Sequence, residues 1–271
     1  MSTATALPPA TSGAKPPREL AQRDLFGMPI CAATMADAIA LAERAIERRE
    51  TLLVGVVNAA KIVNMRRDPR LDAAVRTAHV IFADGMSVVW ASRLVGRRLP
   101  ERVAGIDLML RLLERANERC YRVFCLGATQ EILDQTVARL KRDYPSAIIA
   151  GAHHGYFKGD EEERVAQQIR DSRADMIFAA MTSPKKEEFL ARWAATMNVP
   201  VCHGVGGAFD VFAGKVKRAP GVWQKLGMEW LYRTLQEPRR LAGRYFVTNT
   251  AFIWLVCKEF FRSTRPAANA S

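Results

Sequence analysis

Residues 121–157 read YRVFCLGATQEILDQTVARLKRDYPSAIIAGAHHGYF, and their pattern decides the fold. Tyr121 to Leu126 is a short, largely apolar run closed by Gly127. Thr129 to Asp143 follows with apolar residues at helical spacing. Ile148 and Ile149 then mark a second strand before Gly151. Short apolar strands joined through helices belong to parallel sheets buried on both faces.

The same alternation continues on both sides. Downstream, a helix is expected from about Asp160 to Asp171, a strand over Asp175 to Met181, a helix over Lys185 to Met197 and a strand over Val199 to Gly204. Upstream, Thr34 caps a helix from Met35 to about Arg49, and Thr51 to Val57 is a buried strand closed by Asn58. Asp68-Pro69 breaks the next helix, His79 to Ala83 is a short strand, and Gly85 to Gly96 and Ile106 to Glu118 read as helices. After Pro220 the pattern is purely helical. The fold class is therefore α/β: a Rossmann-like parallel sheet with helices on both faces, plus a C-terminal helical appendage. The expected organisation is a disordered leader over residues 1–20, an α/β body over 21–220 and a helical, membrane-associating tail over 221–271.

Charge separates this chain from an average soluble domain. A net charge of +12 favours a polyanionic partner: nucleic acid, anionic lipid or a phosphorylated substrate. Much of the excess follows Lys215. The odd count of five cysteines, without a CxxC pair, reads mostly as buried thiols in a reducing compartment. No apolar stretch reaches the roughly 20 residues of a spanning helix, since Thr248, Asn249 and Thr250 break the longest late one. A cytoplasmic protein that touches a membrane surface follows.

Candidate chemistry gathers at strand ends. Asp84 follows Val80 to Ala83 and is either an N-cap or a general base at the sheet's carboxyl edge. Asn58 ends the neighbouring strand and is a cap or a pocket residue. Arg102, between Pro100 and Gly105, is a solvated arginine or a bidentate phosphate ligand. Gly127 offers backbone N–H groups to a phosphate or simply packs. Tyr156 lines a nucleotide pocket or the core. His153 and His154 lack further ligands at zinc spacing, His79 and His203 being the only other histidines, so no metal site is assigned. Lys185 and Lys186 oppose the dipole of the helix they start, which an anion would relieve. Gly206 and Gly207 let backbone approach a ligand, and Asp210 accepts hydrogen bonds from a ribose or base. The chain has no Asp-x-Asp, GxSxG or HExxH motif, which favours a metal-free mechanism without a cofactor.

In order and spacing, these segments resemble the WecG/TagA/CpsF family of bacterial glycosyltransferases. The match is carried by Asn58, Asp84-Gly85, Pro100-Glu101-Arg102-Val103 with Gly105, and Gly151 with Gly155-Tyr156-Phe157. It continues through Ser183-Pro184-Lys185 with Glu187, Gly204 to Gly207 with Phe209-Asp210, Arg218-Ala219-Pro220 and Glu229 to Arg233. The resemblance implies an inverting, metal-independent transfer from a UDP-sugar to a sugar on a polyprenyl-diphosphate carrier. The implied location is the cytoplasmic face of the membrane, in cell-surface polysaccharide or teichoic-acid-type biosynthesis. It implies Asp84 as base, Asn58 and Asp210 as pocket residues, and Arg102, Arg233, Arg240 and Arg244 as diphosphate ligands. It implies no nucleic-acid partner and leaves room for a homo-oligomer. Two positions depart from the family pattern: Lys186 stands where Gln is usual, and Val56 where Thr is common. A lysine there places a cation beside the donor, for a uronate carboxylate or a diphosphate oxygen. The rival reading is a basic nucleic-acid- or anionic-membrane-binding module without catalysis.

Overall fold

Apolar runs that end in Asn, Asp or Gly become strands, and the amphipathic segments between them become helices. The structure is a computed structural model that describes residues 20–263; residues 1–19, nearly all of the expected leader, lie outside the described residues. In chain order the elements are β1 (Gln22–Leu25), β2 (Met28–Cys31), α1 (Met35–Arg48), β3 (Leu52–Val57), α2 (Ala59–Met65), α3 (Pro69–Arg76) and β4 (Val80–Ala83). Then come α4 (Met86–Leu94), α5 (Gly105–Arg119), β5 (Arg122–Gly127), α6 (Gln130–Asp143), β6 (Ile148–His153), α7 (Glu162–Asp171) and β7 (Met176–Ala180). The body closes with α8 (Lys185–Met197), β8 (Val201–Gly204) and α9 (Ala208–Phe212). The tail is α10 (Gly221–Lys225), α11 (Glu229–Gln236) and α12 (Pro238–Ser263).

Six strands form one parallel sheet in the order β4-β3-β8-β7-β5-β6. Strand alternation sends Val54, Val56, Phe82, Val123 and Phe178 to one face, against α1, α5, α6 and α9. Leu53, Ile81, Phe124, Leu126 and Ile177 go to the other, under α2, α3, α4, α7 and α8. Burial on both faces is why these strands read as apolar runs rather than as alternating ones.

Two details differ from the sequence pattern. A hairpin, β1–β2, precedes α1 where no element was expected. Its turn is Phe26-Gly27 with both φ angles positive, 59° and 74°, the two-residue geometry that matches strand twist. Leu25, Met28 and Ile30 tuck into the core beneath it. Gly151 also lies inside β6 rather than after it. The Phe124 ring of β5 packs so close that a Cβ at Gly151 would lie 2.5 Å from it.

The tail is docked on the body. On α12, Phe252 and Leu255 are buried in the same cluster as Phe26 and Ile62, and the Phe26 and Phe252 rings lie 5.3 Å apart. Buried Glu259 pairs with Arg97 and Arg262. The opposite face of α12 carries Phe246, Ile253 and Trp254, all exposed. No helix among the described residues is long and apolar enough to cross a membrane.

Candidate functional site

Adjacent strands that end together bring their following residues together. β3 and β4 are in register Val57 to Ala83, so Asn58 and Asp84 emerge side by side. Asn58 caps α2 by accepting the Lys61 N–H at 3.0 Å, and its amide donates to Asp84 Oδ2 at 3.3 Å. Asp84 is not the cap of the helix that follows it; that position is Gly85. Its Oδ1 instead accepts the N–H of Gly105 at 2.8 Å. Gly105 opens α5, whose N-cap Ala104 has no side chain able to cap. The carboxylate thus caps a different helix and is fixed by two donors.

Beside it lies a buried ionic cluster. Glu187 Oε1 accepts from Lys61 Nζ at 2.8 Å, Lys186 Nζ at 2.7 Å and Ser183 Oγ at 2.9 Å. Lys186 Nζ also donates to Ser183 Oγ at 3.2 Å. A Cβ at Gly204 would sit 2.9 Å from the Lys186 stem, so this glycine makes the lysine's channel. Burial, then the neighbouring Lys61, pull Lys186 down to about 8, against the opposing pull of Glu187 and Asp84. Burial alone would raise Glu187, but Lys61 and Lys186 outweigh it and hold it at about 2. Glu187 Oε2 has no hydrogen-bond partner, and a small cavity lined by Gly55, Val56, Lys61, Lys186, Glu187 and Gly204 adjoins the cluster. Lys61, and Glu187 as a shared acceptor, are the site features that the sequence reading missed. The only signal was three charges packed as Lys-Lys-Glu after a strand.

Lys185 behaves differently from its neighbour. Its Nζ donates to the carbonyls of Gly155 and Phe157 and sits 4.1 Å from the Phe157 ring centroid. Backbone carbonyls and a ring face meet the charge that Lys185 places against the α8 dipole.

The other candidates are spread around this edge. Arg102 pairs with Asp107 at 3.0 Å and with Glu229 of the tail at 3.2 Å. Arg218 pairs with Asp107 at 2.6 Å, closing a network that ties α5, the loop after α9 and α11 together. Gly127 has φ +123° and packs so tightly that a Cβ would lie 2.4 Å from the Ala180 carbonyl oxygen. Gly155 in turn packs on Gly127. Tyr156 is 75% exposed. Gly206 has φ +55°, and Gly207 and Asp210 stand at the start of α9. Arg233 lies on α11 and is half-buried. The side chains of Arg240 and Arg244, on α12, lie outside the described residues.

The histidines have local tasks. His79 Nδ1 accepts the Leu53 N–H at 2.8 Å, and His154 Nδ1 accepts the Tyr156 N–H at 3.1 Å. Among the described residues no three His, Cys, Asp or Glu side chains gather as a metal site would require. Cys31, Cys125 and Cys202 are buried, and burial pushes the last two up to about 12; Cys120 and Cys257 are exposed.

An α/β sheet with a fixed carboxylate at its carboxyl edge is the frame on which comparison with known proteins can be placed. The sequence profile of the glycosyl transferase WecG/TagA/CpsF family matches residues 23–266, and the chain belongs to that family of glycosyltransferases. A curated relative from Bacillus spizizenii (strain ATCC 23059 / NRRL B-14472 / W23) is 38% identical over 200 residues, covering 74% of this chain and 76% of its own. That relative is an N-acetylglucosaminyldiphosphoundecaprenol N-acetyl-beta-D-mannosaminyltransferase. The chain is an enzyme, which sets aside the reading as a binding module without catalysis.

Proposed function

We propose that this glycosyltransferase moves a sugar, with inversion, from a UDP-sugar to a sugar on a polyprenyl-diphosphate carrier, with Asp84 as the base. The observation that carries the reading is the Asp84 carboxylate, held by the Gly105 N–H and the Asn58 amide at the sheet edge. Two donors fix the orientation of the carboxylate and leave lone pairs on both oxygens to accept the proton of an incoming hydroxyl. The acceptor oxygen gives its proton to Asp84 and attacks the anomeric carbon. The bond to UDP breaks on the opposite face, and UDP leaves as an anion. The activity of the Bacillus relative supports the lipid-diphosphate acceptor and makes N-acetylmannosamine the first donor sugar to try.

In this reading Asn58, Tyr156, Lys186, Gly206, Gly207 and Asp210 surround the donor, while Gly127 packs on Ala180. Arg102, with Arg233, Arg240 and Arg244 from the tail, meets the diphosphate. A donor anion at Lys186 competes with Glu187 for the same ammonium. The tail is both lid and lipid contact. Phe246, Ile253 and Trp254 recur on one face of α12 and are exposed, the pattern of a helix that lies in a membrane interface. Basic residues beside an anionic surface add about 1 kcal/mol each. The enzyme then works on the inner face of the cell membrane.

A screen of UDP-sugars with a polyprenyl-diphosphate-N-acetylglucosamine acceptor, read as UDP release, tests the reaction. One donor is expected to turn over, undiminished in EDTA, with an inverted anomeric centre by NMR. Loss in chelator with rescue by magnesium or manganese would overturn the metal-free step. No release with any donor would overturn the reaction. For the tail, Phe246→Ser with Trp254→Ser should abolish sedimentation with anionic vesicles. This is a cleaner test than truncation, because cutting the tail also removes Phe252 and Leu255 from the core.

A further inference from the structure

His203 is completely buried in the middle of the sheet, on β8 between β3 and β7. Its neighbours there are Val54 and Phe178, and its ring meets the Phe178 ring edge-on at 6.2 Å. Nε2 lies 2.9 Å from the Gly105 carbonyl oxygen. A carbonyl only accepts, so Nε2 carries the hydrogen. Nδ1 is buried without a hydrogen-bond partner. Burial draws the imidazole down to about 4, so it is neutral at physiological pH.

Stability does not explain this residue. A buried nitrogen without a partner costs stability that an apolar side chain of the same volume would not. Nor does the Gly105 carbonyl require it. Gly105 is the first residue of α5, so its carbonyl has a donor one turn along the helix. What His203 adds is a second grip on the residue whose N–H holds Asp84. The chain of contacts runs His203 Nε2–H to the Gly105 carbonyl, then Gly105 N–H to Asp84 Oδ1.

We propose that His203 is a positioning residue for Asp84, locking Gly105 so that its N–H holds the carboxylate in the orientation that receives the acceptor's proton. This rests on the reading of Asp84 as the base. The charged and titratable groups sharing this edge are Lys61 on α2, Lys186 and Glu187 on α8, and Arg102 and Asp107 beside α5. A substitution at His203 alters none of these groups directly.

The test compares His203→Met, which fills the space without a donor, His203→Gln, which restores one, and Asp84→Asn. The probes are UDP-N-acetylmannosamine and polyprenyl-diphosphate-N-acetylglucosamine. For His203→Met, kcat is expected to fall about 10- to 100-fold, as for a catalytic group displaced by up to 1 Å. KM should stay within about twofold, because no substrate contact is lost. His203→Gln should recover most of the rate. Amide exchange at Gly105, followed by NMR without substrate, should accelerate in the Met variant while the rest of α5 is unchanged. Should the Met variant not fold, His203→Asn against His203→Gln gives the same contrast with the donor set back by one methylene. If the Met variant keeps the wild-type kcat and Gly105 exchange while Asp84→Asn is inactive, the proposal fails and the base reading stands. If Asp84→Asn keeps the wild-type rate, both fail together.

Discussion

The two halves of the sheet edge use their turns in opposite ways. At the ends of β3 and β4 the turn residues present side chains to one another, Asn58 to Asp84, and at the end of β8 Gly204 leaves room for the stem of Lys186, which reaches in from α8 and pairs with Glu187. At the ends of β5, β6 and β7, the turns are packed backbone on backbone. Gly127 sits against Ala180, and Gly155 against Gly127. Both halves look alike as sequence, an apolar run followed by glycine and a polar group. Glycine after a strand marks close approach, but not whether a ligand or the next strand is what approaches.

Four substitutions probe this contrast. Asp84→Asn should lower kcat by about 10² to 10⁴ while UDP binding, measured by calorimetry, is retained. Asparagine keeps an oxygen to accept the Gly105 N–H, so the protein should stay folded; a rate near wild type would leave Asp84 as a helix cap only. Glu187→Gln removes the one carboxylate shared by two buried ammonium groups. It should cost about 3 kcal/mol in urea unfolding, and a loss below about 1 kcal/mol would mean that the cluster is open to water. In the other half, Gly127→Ala should cost about 2 kcal/mol through its backbone angle and the clash with Ala180. If it instead abolished donor binding in a protein of normal stability, the two halves would be alike after all.

The smallest effect belongs to Lys186→Gln. At neutral pH it should change stability by less than about 1 kcal/mol, because Lys61 still pairs with Glu187. The difference appears with pH. Lys186 titrates at about 8 when folded, below its ordinary 10.5, so between these values the unfolded chain holds a proton that the folded one lacks. Wild-type stability therefore gains as pH rises through that window, and the gain should vanish in the variant. Urea midpoints at pH 7.5 and 9.5 measure it. An equal rise in both proteins would place the titration elsewhere.

How far this was legible in the sequence depends on whether a contact is local. Buried parallel strands announce themselves as short apolar runs, so the central sheet could be read, and with it the strand-end positions of Asn58 and Asp84. Strand β6 looks short in the sequence because Ala150, Gly151 and Ala152 are small, and at Gly151 that smallness answers to Phe124 on another strand. The β1–β2 hairpin carried its signal in Phe26-Gly27, but four-residue strands with a Pro at position 29 give little periodicity. Asp84 was weighed as a cap for the next helix, whereas the helix it caps begins at Gly105. Lys61, Glu187 and His203 find their partners across the fold, and no spacing rule reaches that far.

The pairing of Phe26 with Phe252 joins the first hairpin to the last helix. On a ribosome the hairpin emerges well before α12, with every strand of the sheet made between them. The apolar underside of the hairpin therefore has no cover from that helix until α12 itself has been made. Contacts between such distant segments form slowly and leave sticky surface open meanwhile. Chains interrupted before α12 would therefore carry an assembled sheet and an uncovered hairpin. For the same reason, fusions or tags at the C-terminus that delay the docking of α12 should lower soluble yield more than tags ahead of the hairpin.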